Sequence, residues 1–145
     1  MEILITMIIY SGKSDGEFHG FDDNAVFKMS NGTYWGQSQY KYWDHYAYRP
    51  DALIEEENGR TTLRVAGHAV PVRRVYDVIE SQIDGEFKGW SGDTSYKLTN
   101  GQVWKQAHYA YEYRYAYRPD VTICNINGIY VMSVDGLRME VRRVK

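Results

Sequence analysis

Short runs of Val, Ile, Tyr, Phe and Thr, each cut off after a few residues by Gly or Asn, fill this chain from end to end. Inside the runs apolar and polar positions alternate, and no stretch holds the three-to-four-residue spacing of an amphipathic helix. The pattern is that of an all-β protein. Strands are expected at 15–21, 24–30, 33–42, 52–57, 60–66 and 69–75. Asn31-Gly32 and Asn58-Gly59 read as hairpin turns, because Asn-Gly suits the positive φ angles of a two-residue type I′ turn. Arg49-Pro50-Asp51 reads as a turn in which Pro fixes φ at the second position, and Gly67 marks the last reversal. The apolar run Ile3 to Ile9 predicts a further strand within 1–10.

The whole pattern then returns. Positions 15–75 and 84–144 align without a gap at an offset of 69 residues, with 27 identities in 61. Two copies are too few for a solenoid. The chain therefore reads as two domains of one fold, 1–76 and 77–145, each near the lower size at which a core supports itself. The connection from Val75 to Ile83 has neither Pro nor Gly and carries several apolar residues, so a strand leading into the second copy is expected there. So many short strands in so few residues suit a small, strongly bent SH3-like barrel, whose closure removes exposed edges.

Leu98-Thr99-Asn100-Gly101-Gln102-Val103-Trp104-Lys105-Gln106, with Tyr-Ala-Tyr-Arg-Pro at 46–50 and 115–119, resembles small SH3-like β-barrel domains found singly and in tandem in bacterial and phage proteins. The resemblance implies a fold and a bacterial or phage setting. No activity is attached to this pattern, so it brings no catalytic or binding residues with it.

Turn geometry assigns strand faces. A two-residue turn at Asn100-Gly101 sets Leu98 opposite Val103 and Lys97 opposite Trp104. The same count in the first copy sets Lys28 opposite Trp35. Trp35 and Trp104 are thus expected on the polar face, each beside a lysine. Such a pair either forms a cation–π contact worth about 0.5–1 kcal/mol or presents a ring and a charge to a ligand.

Tyrosine is the second feature. Ten of the 14 tyrosines fall in Tyr34 to Tyr48 and Tyr109 to Tyr117, and in the second copy five alternate strictly from Tyr109 to Tyr117, which places them on one strand face. Five phenols overfill a small core, since each buried hydroxyl needs a partner. A junction, a rim or a homodimer contact is expected for them, with a ligand groove as the alternative. On the opposite face the copies differ: Lys41, Trp43 and His45 stand where the second copy has Ala110, Glu112 and Arg114.

Charge and chemistry narrow the functional classes. The net charge of −2 is spread as 8 basic against 10 acidic residues through Val75 and 9 against 9 after it, so no strongly basic face is forced. Cys124 is the single cysteine; it excludes an internal disulfide and reads as a small buried hydrophobe. His19, His45, His68 and His108 have no histidine counterparts in the other copy and no metal-ligand spacing. No phosphate-binding glycine loop or nucleophile elbow is present. Glu17 and Glu86 read as solvated turn residues, and of Arg73-Arg74 and Arg142-Arg143 alternation turns one outward.

The expected function is that of a non-enzymatic, cytoplasmic binding protein without cofactor, metal or membrane association, engaging a protein partner or a second copy of itself. A nucleotide or single-stranded nucleic acid stacked on Trp and Tyr is the alternative, and an enzyme the third reading. The candidate binding residues are Trp35, Trp104, Lys28, Lys97, Trp43, Tyr48, Tyr111, Tyr117, Arg49 and Arg118.

Overall fold

In the computed structural model, which describes residues 5–145, every regular element is a strand. The strands form two compact units that divide between Val75 and Tyr76. The first unit holds β1 (Thr6–Lys13), β2 (Glu17–Phe21), β3 (Val26–Lys28), β4 (Tyr34–Gln37), β5 (Trp43–Tyr48), β6 (Asp51–Glu57), β7 (Arg60–Val65) and β8 (His68–Val75). The second holds β9 (Ile79–Gln82), β10 (Glu86–Gly92), β11 (Ser95–Lys97), β12 (Val103–Gln106), β13 (Ala110–Tyr117), β14 (Asp120–Ile126), β15 (Ile129–Val134) and β16 (Leu137–Arg143). The strand expected at 1–10 lies partly outside the described residues; within them β1 begins at Thr6. The connecting strand is β9, separated from β8 by Tyr76 to Val78, where Asp77 takes a φ of 57°.

Each unit pairs its strands in the same way. A six-stranded antiparallel sheet runs β1-β6-β7-β8-β4-β3 in the first unit and β9-β14-β15-β16-β12-β11 in the second. The remaining strands form two-stranded ribbons, β2 with β5 and β10 with β13. In each unit the residues that follow the two edge strands are bridged, Ser14 to Met29 and Ile83 to Leu98. Flanking backbone bonds fasten these bridges, from Asp15 N to Lys28 O at 2.8 Å and from Asp84 N to Lys97 O at 2.8 Å. Eight strands per unit exceed the five or six expected, partly because the long tyrosine segment breaks at Ser38 to Tyr42 and at Ala107 to Tyr109. The strands after those breaks are β5 and β13.

The hairpin after β3 and β11 overturns the expected faces. Gly32 and Gly101 have positive φ, but Asn31 and Asn100 do not. Gly101 N donates to Leu98 O and Leu98 N to Gln102 O, which is a type I turn followed by a glycine bulge. Asparagine serves here as an acceptor: Asn100 Oδ1 takes the Gln102 N–H at 3.0 Å, and Asn31 Oδ1 the Thr33 N–H at 3.1 Å. The loop is one residue longer than a type I′ turn, so Trp104 pairs with Tyr96 and Lys97 with Val103. A slip of one residue moves every side chain to the other face. Trp35 and Trp104 are accordingly core residues, 5% and 1% exposed. Asn58-Gly59 and Asn127-Gly128, by contrast, have positive φ at both residues and form the expected two-residue turns.

The ribbons attach through a broken alternation. Phe18 and Phe21 both point inward although three residues apart, as do Phe87 and Trp90. Gly20 and Gly89 permit this by taking φ values of 95° and 86° at the point where β5 and β13 bulge. A Cβ at Gly89 would lie 1.9 Å from Glu112 O, and one at Gly20 would lie 1.8 Å from Trp43 O, so only glycine fits. The inward rings join separate cores, one around Met29, Trp35, Ile54 and Leu63 and one around Leu98, Trp104, Ile123 and Met132.

One buried polar side chain per unit locks the arrangement. Gln106 Oε1 accepts from Ser91 N, Thr94 N and Tyr96 Oη, each at 3.2 Å. Its Nε2 donates to Gly92 O at 3.1 Å, His108 O at 3.2 Å and Ala110 O at 3.3 Å. Gln37 does the same work on Asp22 N, Asp22 O, Gln39 O and Lys41 O. Gln106→Leu keeps the volume but orphans several buried groups, each worth about 1–3 kcal/mol. The expected loss is about 2–4 kcal/mol in urea unfolding followed by tryptophan fluorescence; a change under about 0.5 kcal/mol would contradict this role.

Candidate functional site

With the tryptophans in the cores, the proposed Trp–Lys pair does not form. Lys28 lies 3.7 Å from Asp15 and 5.5 Å from the Tyr34 ring centroid, and Lys97 lies 3.9 Å from Asp84. The tryptophan N–H groups are satisfied locally, by Thr33 Oγ1 and Gln102 Oε1 at 2.9 Å each. Thr33 and Gln102, two residues before each Trp, were the sequence signal for an inward indole held at its polar end.

The tyrosines take the outer surface instead. Along β5 the half-buried Trp43, His45 and Ala47 alternate with exposed Asp44, Tyr46 and Tyr48. Tyr40, Tyr42, Tyr46 and Tyr48 in the first unit, and Tyr109, Tyr111, Tyr113, Tyr115 and Tyr117 in the second, are all between 50 and 75% exposed. They contribute little to either core. Of the sequence candidates, Tyr48, Tyr111 and Tyr117 belong to this face.

A carboxylate recurs within each set. Tyr46 Oη donates to Glu17 Oε1 and Tyr115 Oη to Glu86 Oε1, both at 3.3 Å. The charge of Glu17 raises the Tyr46 phenol above its ordinary range, and Glu86 does so for Tyr115. A nitrogen-bearing side chain stands beside each carboxylate, His19 at 3.6 Å from Glu17 and Lys88 at 3.8 Å from Glu86. In the second unit the Tyr109 and Tyr111 hydroxyls also meet at 2.6 Å. The bond to Tyr111 raises the Tyr109 phenol.

Arg49 and Arg118 sit where the ribbon strands turn into β6 and β14, with exposed side chains. The turn differs from the one expected: the arginine before the proline has positive φ, 49° and 48°. Its N–H is tied to Gly16 O and Gly85 O at 2.8 Å, which holds this uncommon conformation in both copies.

Trp43 is packed between two imidazoles, stacked on His45 at 4.6 Å and on His68 at 4.0 Å. Sequence spacing gave no sign of this trio, because His68 arrives from the start of β8. The second unit closes the same flank differently, with Arg114 Nη1 donating to Asp135 O at 2.6 Å. Arg73 and Arg74 are both exposed, as are Arg142 and Arg143; in the first unit the buried positions jump from Val72 to Val75, so alternation does not divide the pair.

Cys124 is buried, and burial, with a smaller contribution from Glu80, pushes its thiol up to about 11. Among the described residues no group of three or more His, Cys, Asp or Glu side chains is placed to hold a metal ion. No helix among them is long and apolar enough to cross a membrane.

The two aromatic classes should separate on mutation. Trp104→Ala is expected to cost about 3–5 kcal/mol and Tyr113→Ala under about 0.5 kcal/mol, measured by denaturant unfolding; equal costs would mean the tyrosine face is part of the fold. Comparison of the chain with protein-family models, curated proteins and solved structures gave no match in any of the three.

Proposed function

We propose that each unit is a small SH3-like barrel acting as a non-enzymatic binding module, and that the tyrosine face of its ribbon engages an extended segment of a partner protein. The observation that carries the reading is the set of nine tyrosines, 50–75% exposed, six of them on the ribbon strands β5 and β13 and three, Tyr40, Tyr42 and Tyr109, in the segments that lead into those strands. The bridges from Ser14 to Met29, and from Ile83 to Leu98, support the barrel reading, as does the hairpin resemblance.

Tyrosine suits protein recognition because it offers a large amphipathic surface at low conformational cost. Among the described residues β5 and β13 pair on one side only, so each offers a backbone edge for a segment to add as a further strand. An extended segment repeats every two residues at about 6.6–6.8 Å, the same repeat as the phenols along the ribbon. Side chains of such a segment fall between successive rings.

The nucleic-acid alternative has less support on this surface. The outer face of the first ribbon carries Glu17 and Asp44, that of the second Glu86 beside Lys88, and such a face does not attract phosphate. Of the candidate indoles Trp35 and Trp104 are in the cores, and the half-buried Trp43 is already stacked on His45 and His68.

Selection of a random peptide library on the purified protein tests the reading. Peptides enriched on the protein are expected to bind at least about tenfold more weakly to Tyr46→Ser/Tyr48→Ser/Tyr115→Ser/Tyr117→Ser, with thermal stability little changed. Sedimentation of the same two proteins covers a second copy as partner, with self-association lost in the variant. Peptides that bind both proteins equally, or no enrichment from a protein that stays monomeric, would overturn it. Capture of oligothymidine with a steep loss on adding salt would move the assignment to single-stranded nucleic acid.

A further inference from the structure

The two ribbons share their outer tyrosines but not the charge among them. In the first unit Tyr46 donates to Glu17, and Asp44 stands two residues before Tyr46 on the same exposed face of β5. In the second unit Tyr115 donates to Glu86, but Tyr113 stands in the place of Asp44. Lys88 stands in the place of His19, 3.8 Å from the Glu86 carboxylate. Along the paired strands, the first outer face sets two carboxylates against one imidazole, and the second sets one carboxylate against an ammonium.

Glu17 and the phenols are placed to act together. Glu17 pairs across from Tyr48 and its side chain reaches Tyr46, so one carboxylate serves two neighbouring rings. Its charge is the largest influence on the Tyr46 phenol, which it raises. His19 closes one flank, 3.6 Å from the carboxylate and 5.6 Å from the Tyr46 ring centroid. The remainder of the carboxylate faces water, with 61% of the Glu17 side chain exposed.

We propose that the first unit's ribbon binds an extended partner segment carrying arginine at alternate positions, stacked on Tyr46 and Tyr48 and selected by Glu17 and Asp44. Ring faces are electronegative, so rings beside a carboxylate favour cations. Arginine suits this arrangement because its plane lies flat on a phenol while paired N–H bonds reach a carboxylate. A segment added at the open edge of β5 lies one strand spacing, about 4.8 Å, from the phenols and about twice that from Glu17. The long stem of an arginine crosses the ring before the guanidinium meets the carboxylate. Side chains on one face of such a segment recur every two residues, as do Asp44, Tyr46 and Tyr48. The inference rests on the tyrosine face being the partner surface, and adds the partner's chemistry and the unit that selects it.

Fluorescence anisotropy of the full chain with labelled octapeptides, in which threonine alternates with arginine, glutamine or glutamate, tests the inference. The arginine peptide is expected to bind at least about tenfold more tightly than the other two, less so at high salt. Glu17→Gln/Asp44→Asn should remove that preference, whereas Glu86→Gln should change it less than about twofold. Tyr46→Ser/Tyr48→Ser should weaken the arginine peptide at least about fivefold with both carboxylates in place. Equal binding of the arginine and glutamine peptides, still lost in the tyrosine variant, would overturn the choice of arginine and leave the ribbon as the partner surface. Arginine binding that the tyrosine variant keeps, a preference that survives Glu17→Gln/Asp44→Asn, equal loss in Glu86→Gln, or no binding of the arginine peptide would each overturn the inference.

Discussion

The buried glutamine at the end of β4 and of β12 is the interaction on which the rest of each unit depends. A two-stranded ribbon is marginal by itself in water. Here it must leave the sheet, cross the core and return within a chain of about seventy residues, near the limit of what one core supports. Gln106 bonds to the end of β10, the loop into β11 and the entry to β13, so one amide fixes both strands of the ribbon against the sheet. Gln37 repeats this in the first unit. Their burial is tolerable because every described buried side-chain polar atom has a partner.

That attachment frees the other side of the ribbon. Phe18 and Phe21, or Phe87 and Trp90, anchor from the inner face through the phase change at Gly20 or Gly89. Nothing in the cores calls for aromatic side chains on the outer face. A solvent-facing strand ordinarily carries charged and hydroxyl residues. Nine exposed phenols on and just before the ribbon strands lie outside both cores, which is why the binding reading rests on them and not on the tryptophans.

Much of the fold was legible in the sequence, and the point of failure is instructive. Duplication, strand content and the type I′ turns at Asn58-Gly59 and Asn127-Gly128 followed from pattern alone. The same dipeptide at Asn31-Gly32 and Asn100-Gly101 misled, because Asn-Gly also suits a type I turn with a glycine bulge, and the two differ by one residue of register. The deciding information was in the flanks. Only the longer loop sets Trp35 opposite Phe27 and Trp104 opposite Tyr96, joining four large rings to the cores. That most tyrosines stay out of the cores was legible, because the cost of burying hydroxyls is a local argument. The Trp43, His45 and His68 stack was not legible, since it gathers residues from strands distant in the sequence.

Comparing the two copies separates fold from function more sharply than either copy does alone. Positions held in both, such as the glutamine, the ribbon glycine, the core indole and the arginine before proline, all have a geometric reason in the structure. Tyr40, Tyr42, Tyr46 and Tyr48 are also held, as Tyr109, Tyr111, Tyr115 and Tyr117, whereas Tyr113 stands where the first copy has Asp44, and none of them lies in either core.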